Sequence, residues 1–230
     1  MTVATTGASA GGGRDDDRRG DDGRGDHRHG GDRRGDDGRG YEAHDGRGSG
    51  PRRKRAIAVF CGAKTGNEPG FRTLASEAGR TIAERGWTLV YGGGGVGLMA
   101  VTADAALAAG GEVVGVIPDL LMRREAGHPG LTRLEIVTDM AVRKQRLIEL
   151  ADGFLILPGG FGTLDELFEV VTLRQLGLHE KPLALADPGG YWSLLLQHCR
   201  AMERAGLVAS QDLTTIESFA SVREALDRLA

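Results

Sequence analysis

The sequence predicts an α/β protein: a Rossmann-like, doubly wound parallel sheet in a single domain, preceded by a disordered tail rich in Gly, Asp and Arg. Short apolar runs rich in Val, Ile and Leu alternate with longer stretches of helical period, which is typical of parallel strands joined by helices. Residues 11–48, in contrast, are almost entirely Gly, Asp, Arg and His, and cannot bury enough apolar surface to offset the entropy of ordering. We therefore divide the chain into a tail, residues 1–54, and one domain, residues 55–230.

Each predicted strand is one of the short apolar runs, and each predicted helix is one of the longer amphipathic stretches. The predicted strands are Arg55–Phe60, Thr88–Tyr91, Glu112–Ile117, Leu134–Val137, Gly153–Leu157 and Leu183–Ala186. The predicted helices are Phe71–Glu84, Val96–Ala108, Met140–Leu150, Leu164–Leu176, Trp192–Ala205 and Ser218–Leu229. In open sheets of this kind ligands bind beyond the carboxyl ends of the strands, so the segments that follow the strands are the candidates for a site.

Composition excludes several classes of protein. The net charge of −3 argues against nucleic acid as the main partner of the domain. Cys61 and Cys199 lie too far apart for a C-x-x-C redox or zinc motif. Neither a signal-peptide core nor an apolar stretch of the roughly 18 residues that a membrane helix needs is present. We therefore expect a cytoplasmic protein without a membrane segment.

Two glycine-containing loops follow the first two strands. Gly62 lies in the polar segment Cys61–Asn67, which fits a structural turn and a ligand contact equally well. The second strand runs into Gly92–Gly97, where Gly93, Gly94 and Gly95 would let backbone N–H groups approach a phosphate, although a merely tight turn is the alternative. This loop matches neither the dinucleotide fingerprint nor a P-loop.

The segment Pro158–Glu166 carries the strongest signal. Gly159, Gly160, Gly162 and Thr163 open a helix, so bare N–H groups, a hydroxyl and the helix dipole converge on one point where an anion is expected. Thr163 and Glu166 also have the spacing of a capping box, in which the two side chains satisfy helix-end donors. The alternative is that Glu166 faces the sugar of a bound nucleotide.

Arg143 and Lys144 stand in the first turns of another predicted helix, which opens at Asp139. Cations at that end oppose the helix dipole, unless they meet an acid or a bound anion. A solvated pair is the alternative. Glu125 follows the third strand and places one more acid at the same rim.

Together these segments resemble the Lonely Guy family of cytokinin riboside 5′-monophosphate phosphoribohydrolases, often labelled lysine decarboxylases. The resemblance rests on motifs that span nearly all of the domain: Val59–Gly62, Gly93–Met99, Val116–Pro118, Met140 with Arg143 and Lys144, and Pro158–Gly160 with Gly162, Thr163 and Glu166. Departures stand at positions where the family often has other residues: Ala63, Ala141, Phe161 and Leu173.

The resemblance implies that Arg143 and Glu166 are the catalytic pair of a homodimer whose site lies near the interface. It implies no metal and no organic cofactor. It also implies that the nucleotide site is lined by Glu125, Lys144, Gly160, Phe161, Gly162, Thr163, Leu164, Asp165 and Thr172.

The expected reaction is hydrolysis of the N-glycosidic bond of cytokinin riboside 5′-monophosphates, giving free base and ribose 5-phosphate. Glu166 would stabilise positive charge on the ribose and orient the attacking water, and Arg143 would hold Glu166 ionised and anchor phosphate or base. Two alternatives remain: a nucleosidase for AMP and other monophosphates, and a non-catalytic nucleotide or molybdenum-cofactor carrier. A pyridoxal decarboxylase is rejected, because none of the domain's few lysines stands in a recognisable cofactor context.

Overall fold

The structure, a computed structural model, describes residues 53–125 and 127–230, with the side chains of residues 123–125 outside the description. These residues belong to one compact unit, Ser49–Ala230. The predicted tail up to residue 52, with its expected disorder, lies outside the described residues. Arg53 and Lys54, the last two residues of the predicted tail, form ion pairs with Asp152 and Glu112.

The described part of the chain folds into seven strands and eight helices that largely alternate. The strands are β1 (Ala56–Phe60), β2 (Thr88–Tyr91), β3 (Glu112–Pro118), β4 (Arg133–Val137), β5 (Gly153–Ile156), β6 (Leu183–Ala186) and β7 (Glu217–Phe219). The helices are α1 (Pro69–Glu84), α2 (Gly97–Ala108), α3 (Asp119–Glu125), α4 (Met140–Leu150), α5 (Phe161–Gln175), α6 (Ser193–Arg204), α7 (Ser210–Leu213) and α8 (Val222–Arg228).

All strands are parallel and form one sheet in the order β4-β3-β2-β1-β5-β6-β7. The chain winds outward from β1 to one edge and then returns to β5, so the order reverses between these two neighbouring strands. This reversal creates a crevice at their carboxyl ends, where open α/β sheets bind ligands. The predicted doubly wound fold is confirmed.

Side chains of the central strands alternate between two apolar cores, one on each face of the sheet. In β1, Ile57 and Val59 face the core built with α1, α2 and α8, whereas Ala58 and Phe60 face the core built with α4 and α5. Strands buried on both faces must be apolar at every position, which is why they appear in the sequence as unbroken Val, Ile and Leu runs. Among the described residues, no helix is long and apolar enough to cross a membrane.

The sequence missed three short elements of the described chain, which are α3, α7 and β7. The predicted helix Ser218–Leu229 is wrong at its start, because residues Glu217–Phe219 pair with β6 and the helix begins only at Val222, capped by the Ser221 hydroxyl. An edge strand of three residues has too little periodicity to be detected. Its pairing partner, rather than its own sequence, determines its conformation.

Candidate active site

A cavity of about 600 Å³ lies beyond the carboxyl ends of β1 and β5. Its floor is formed by the loop after β1, including Cys61 and Gly62, and by the loop after β5, from Pro158 to Thr163. The two loops touch directly, since the Gly62 N–H donates to the Pro158 carbonyl at 3.1 Å. The volume is in the range typical of small-molecule sites.

Arg143 projects from α4 into the wall of this cavity and is only 7% exposed. Its Nε donates to the Val116 carbonyl at 3.1 Å, and its Nη2 donates to the Gly92 carbonyl at 3.2 Å. These two contacts, to the ends of β3 and β2, fix the planar guanidinium and leave Nη1 directed at Glu166. A buried arginine held in this way acts as a preorganised charge.

Glu166, on the second turn of α5, faces Arg143 in the cavity. Its Oε1 lies 3.6 Å from Arg143 Nη1, and its side chain is 11% exposed. Burial raises the pKa of Glu166 from its ordinary value of 4.5 to about 7, because desolvation outweighs the opposing effect of Arg143. From the sequence we expected Arg143 to hold Glu166 ionised. The raised pKa means instead that Glu166 is only partly ionised near neutral pH. Near neutral pH the carboxyl is poised to exchange a proton.

The start of α5 is open to the cavity. Its N-cap is Gly160, and no side chain caps the helix. A Cβ added to Gly160 or Gly162 would meet no atom within 4 Å, so nothing in the protein occupies the space over these residues. In contrast, Asp139 closes α4 by accepting from the N–H groups of Ala141 and Val142. The open helix end offers free N–H groups and a positive dipole to an anion.

The helix start also tests the capping-box interpretation of Glu166. α5 begins at Phe161, not at the predicted Leu164, so Thr163 lies inside the first turn and is not the N-cap. The capping-box interpretation is therefore wrong. Thr163 is buried, and its side chain instead packs where a Cβ on Gly159 would stand, 2.0 Å from Oγ1.

The other glycine loop, Gly92–Gly97, is packed against protein atoms. A Cβ on Gly92 would lie 2.0 Å from Arg143 Nη2, and a Cβ on Gly97 would lie 2.3 Å from the Ala63 carbonyl oxygen. Gly93 lies against Ile117, and Gly94 forms an isolated bridge with Gly127. Gly93, Gly94 and Gly95 are not among the residues that line the cavity.

Three of the remaining predicted site residues, Leu164, Asp165 and Thr172, lie on the side of α5 that does not line the cavity, here called its outer side. Lys144 bonds Asp165 at 3.0 Å and Glu169 at 3.1 Å. Leu164, Asp165 and Thr172 line a separate surface groove with Phe168, Glu169 and Leu173. The side chain of Glu125 lies outside the described residues. The structure thus brings together Gly62, Arg143, Glu166 and residues 159–163, and places Leu164, Asp165, Thr172 and Lys144 outside the cavity.

Several cavity residues were not predicted as site residues. They are Phe71, Leu98, Met99, Leu121, Met140 and Tyr191, with Lys64 as an exposed cation. Lys64 has no hydrogen-bond or ion-pair partner among the described residues. Leu98, Met99 and Met140 stand in motifs that carry the family resemblance but were given no role, and Phe71, Leu121 and Tyr191 lie in no motif. Cys61 also lines the cavity, but burial and then the charge of Glu166 raise the pKa of its thiol to about 12, so it is not a nucleophile.

The chain matches known proteins over most of this domain. A family model described as possible lysine decarboxylase matches residues 99–229. The cytokinin riboside 5′-monophosphate phosphoribohydrolase LOG1 of Arabidopsis thaliana is 38% identical over 175 residues, which cover 76% of this chain and 82% of that protein. The chain belongs to the Lonely Guy family. A phosphoribohydrolase of the same name from Rhodococcoides fascians is 48% identical over 145 residues, covering 63% of this chain and 73% of the other.

Solved structures of proteins with other names share the architecture. The molybdenum cofactor carrier protein of Chlamydomonas reinhardtii superposes with a TM-score of 0.57 at 20% identity, covering 76% of this chain and 95% of that one. The molybdenum cofactor binding protein of Rippkaea orientalis gives 0.56, also at 20% identity. At such identity the likeness concerns the fold alone.

The close contact between Gly92 and Arg143 leads us to predict that Gly92→Ala lowers turnover. In Gly92→Ala, the new methyl group must displace the guanidinium, because only 2.0 Å separates it from Nη2. We expect a loss of turnover on the order of 10²-fold, as for a misplaced catalytic group. Gly70→Ala is the matched control, since a Cβ there meets nothing within 4 Å. Equal kcat/KM in the two variants would contradict this role of Gly92.

Proposed function

We propose that the protein hydrolyses the N-glycosidic bond of cytokinin riboside 5′-monophosphates, N6-substituted adenine nucleotides, and releases the free base and ribose 5-phosphate. The observation that carries the proposal is the Arg143–Glu166 pair, which faces the same cavity as the uncapped start of α5. The names of the relatives support this assignment of substrate. A carboxyl and an anion site in one cavity match a substrate with a sugar next to a phosphate.

The phosphate would bind at the N-terminus of α5. The bare N–H groups that follow Gly160 carry the positive end of the helix dipole, and the nearby Lys64 supplies a free charge. Arg143 is already engaged with Glu166 and two carbonyls, which leaves Lys64 as the unengaged cation among the described residues that line the cavity. This arrangement favours the monophosphate over the free nucleoside.

Glu166 would act on the sugar. Breaking the C1′–N bond leaves positive charge on the ribose ring, which the ionised carboxylate stabilises, and the bond's electron pair departs with the base. A water attacks C1′ and gives its proton to Glu166, which acts as general base. The departing base takes up a proton, and Glu166 returns its own to solvent, so that one water is consumed for each base released. The fixed guanidinium of Arg143 would keep this carboxylate oriented. No metal or organic cofactor is assigned a role, and the described residues hold no cluster of three or more potential metal ligands.

We also propose that two copies form a homodimer through the outer side of α5. There, Leu164, Phe168 and Leu173 line a surface groove, and Phe161, one turn before Leu164 on the same helix, is 91% exposed. A second copy would cover these apolar side chains and bring Thr172 and Lys144 near the site.

We also propose that the protein is cytoplasmic. Cys61 and Cys199 are both buried and free, which fits the reducing environment of the cytoplasm.

The test is a product assay with the full chain on AMP, on N6-prenylated AMP and on the corresponding nucleosides. We expect release of free base and ribose 5-phosphate from the monophosphates, with much lower kcat/KM for the nucleosides. Preference for AMP would indicate a general nucleotide nucleosidase. Tight nucleotide binding without any release of base would overturn the proposal in favour of a carrier.

A further inference from the structure

The turn after β6, residues 187–192, reaches the cavity from a third strand. Asp187 directly follows this strand, and its buried carboxylate accepts from the backbone N–H groups of Tyr191 at 2.6 Å and Trp192 at 3.0 Å. A carboxylate that accepts two backbone bonds within one turn holds its geometry tightly. The position of Tyr191 is therefore set by the end of β6.

The side chain of Tyr191 returns to the anion-binding loop after β5. Its hydroxyl donates to the Gly159 carbonyl at 2.7 Å. Its ring packs edge-on against Phe71, with centroids 5.4 Å apart, and against Trp192, at 4.6 Å. Phe71 in turn covers Gly66 in the loop after β1, where a Cβ would lie 2.9 Å from Phe71 Cδ2. Rigid neighbours on both sides therefore hold the ring.

The hydrogen bond from the Tyr191 hydroxyl to the Gly159 carbonyl fixes the orientation of one peptide plane. The carbonyl of Gly159 and the N–H of Gly160 belong to the same planar unit and point in opposite directions. Two adjacent glycines restrict this unit very little, because neither has a side chain. By holding the carbonyl, the Tyr191 hydroxyl fixes where the Gly160 N–H points at the open start of α5.

We propose that Tyr191 is a positioning residue for phosphate binding: its hydroxyl holds the Gly159–Gly160 peptide in the orientation that receives the 5′-phosphate. This inference rests on the proposed function, because it assigns the anion at α5 to the substrate's phosphate. Tyr191 acts through the loop and not on C1′. Its removal must therefore weaken binding of the phosphate and leave the chemical step nearly unchanged.

The experiment compares Tyr191→Phe with Tyr91→Phe in the full chain. Tyr91 makes the same type of bond, from its hydroxyl to the Gly94 carbonyl at 3.4 Å, but in the glycine loop that does not line the cavity. The measurements are kcat and KM for N6-prenylated AMP, the dissociation constant of inorganic phosphate by calorimetry, and the thermal unfolding midpoint. For Tyr191→Phe we expect KM and the phosphate dissociation constant to rise together, by about 3- to 10-fold, with kcat within about two-fold. Tyr91→Phe should change neither constant.

Unchanged phosphate binding in Tyr191→Phe overturns the inference, whether or not the unfolding midpoint falls. So does a loss confined to kcat. If the unmodified protein releases no base from N6-prenylated AMP or from AMP, the proposed function fails, but the phosphate dissociation constants still decide whether Tyr191 positions the loop.

Discussion

Glu166→Gln is expected to lower kcat for N6-prenylated AMP on the order of 10²- to 10⁴-fold, the range measured for general acid–base groups. The amide keeps the size of the side chain and its place opposite Arg143, but it takes up no proton from water and carries no negative charge for the ribose. Substrate binding depends mainly on the start of α5, so KM should change little. Release of free base and ribose 5-phosphate measures the effect.

The matched control is Glu149→Gln. Glu149 makes the same class of side-chain contacts on the exposed face of α4, to Gln145 and Arg146, and does not line the cavity. Its replacement should leave kcat and KM unchanged. A Glu166→Gln enzyme as active as this control would exclude Glu166 from the chemical step.

The pH dependence follows from the raised pKa of Glu166. With a pKa of about 7, the carboxyl becomes a competent base only as pH rises through neutrality, so kcat/KM should increase along a limb centred near pH 7. The second ionisation of a phosphate monoester, near pH 6, lies about one unit lower and is distinguishable. An acid limb near the ordinary glutamate value would contradict the assignment.

The pH dependence of the free energy of unfolding tests the protonation of Glu166 without an activity assay. The folded pKa of about 7 exceeds the ordinary value of 4.5, so the unfolded chain releases this proton first. The contribution of Glu166 to the free energy of unfolding is thus fully present below pH 4.5 and is lost as pH rises through 7. Relative to the unmodified protein, Glu166→Gln should therefore gain unfolding free energy as pH increases across this window.

Arg143→Ala is expected to abolish measurable turnover and to lower the free energy of unfolding by about 3 kcal/mol. The change leaves the buried carbonyls of Val116 and Gly92 without their donor and removes the positive neighbour of Glu166. The pKa of Glu166 should then rise further, because burial is no longer opposed. Denaturant unfolding and kcat/KM measure the two effects.

Two further variants keep this prediction informative. Arg146→Ala removes an arginine from the next turn of α4, where it pairs with Glu135 and Glu149 at the surface, and should cost at most about 1 kcal/mol without loss of activity. Arg143→Lys retains the charge, but an ammonium lacks the fork that reaches both carbonyls and Glu166. Full activity in Arg143→Lys would mean that the charge alone matters and the fixed guanidinium does not.

The fold and the centre of the candidate site were predictable because their signals are local. Six of the seven strands are apolar runs that the sequence marks to within about two residues, the usual uncertainty of such boundaries. The likeness of Pro158–Glu166 to an anion loop is equally local, since glycines and a helix start are enough. β7 escaped because its pairing with β6 is not local.

The raised pKa of Glu166 could not be predicted from the sequence. Its spacing from Thr163 agreed with a helix cap. The family resemblance, in contrast, led to the expectation of an ionised carboxylate paired with Arg143. The structure places it in a buried wall, 3.6 Å from Arg143, where desolvation dominates the pKa. Burial depends on every element around the cavity, and no spacing within α5 encodes it.

The two glycine loops show most clearly what each level determines. The glycines in the sequence determined only that both loops have a bare backbone, whose N–H groups a phosphate could approach. Only the tertiary structure decided what lies beside each glycine: the Arg143 guanidinium at Gly92, the Thr163 side chain at Gly159, and open cavity at Gly160 and Gly162. The physical reason is that space beside a backbone can be filled by a ligand or by the protein itself, and segments distant in sequence make that choice.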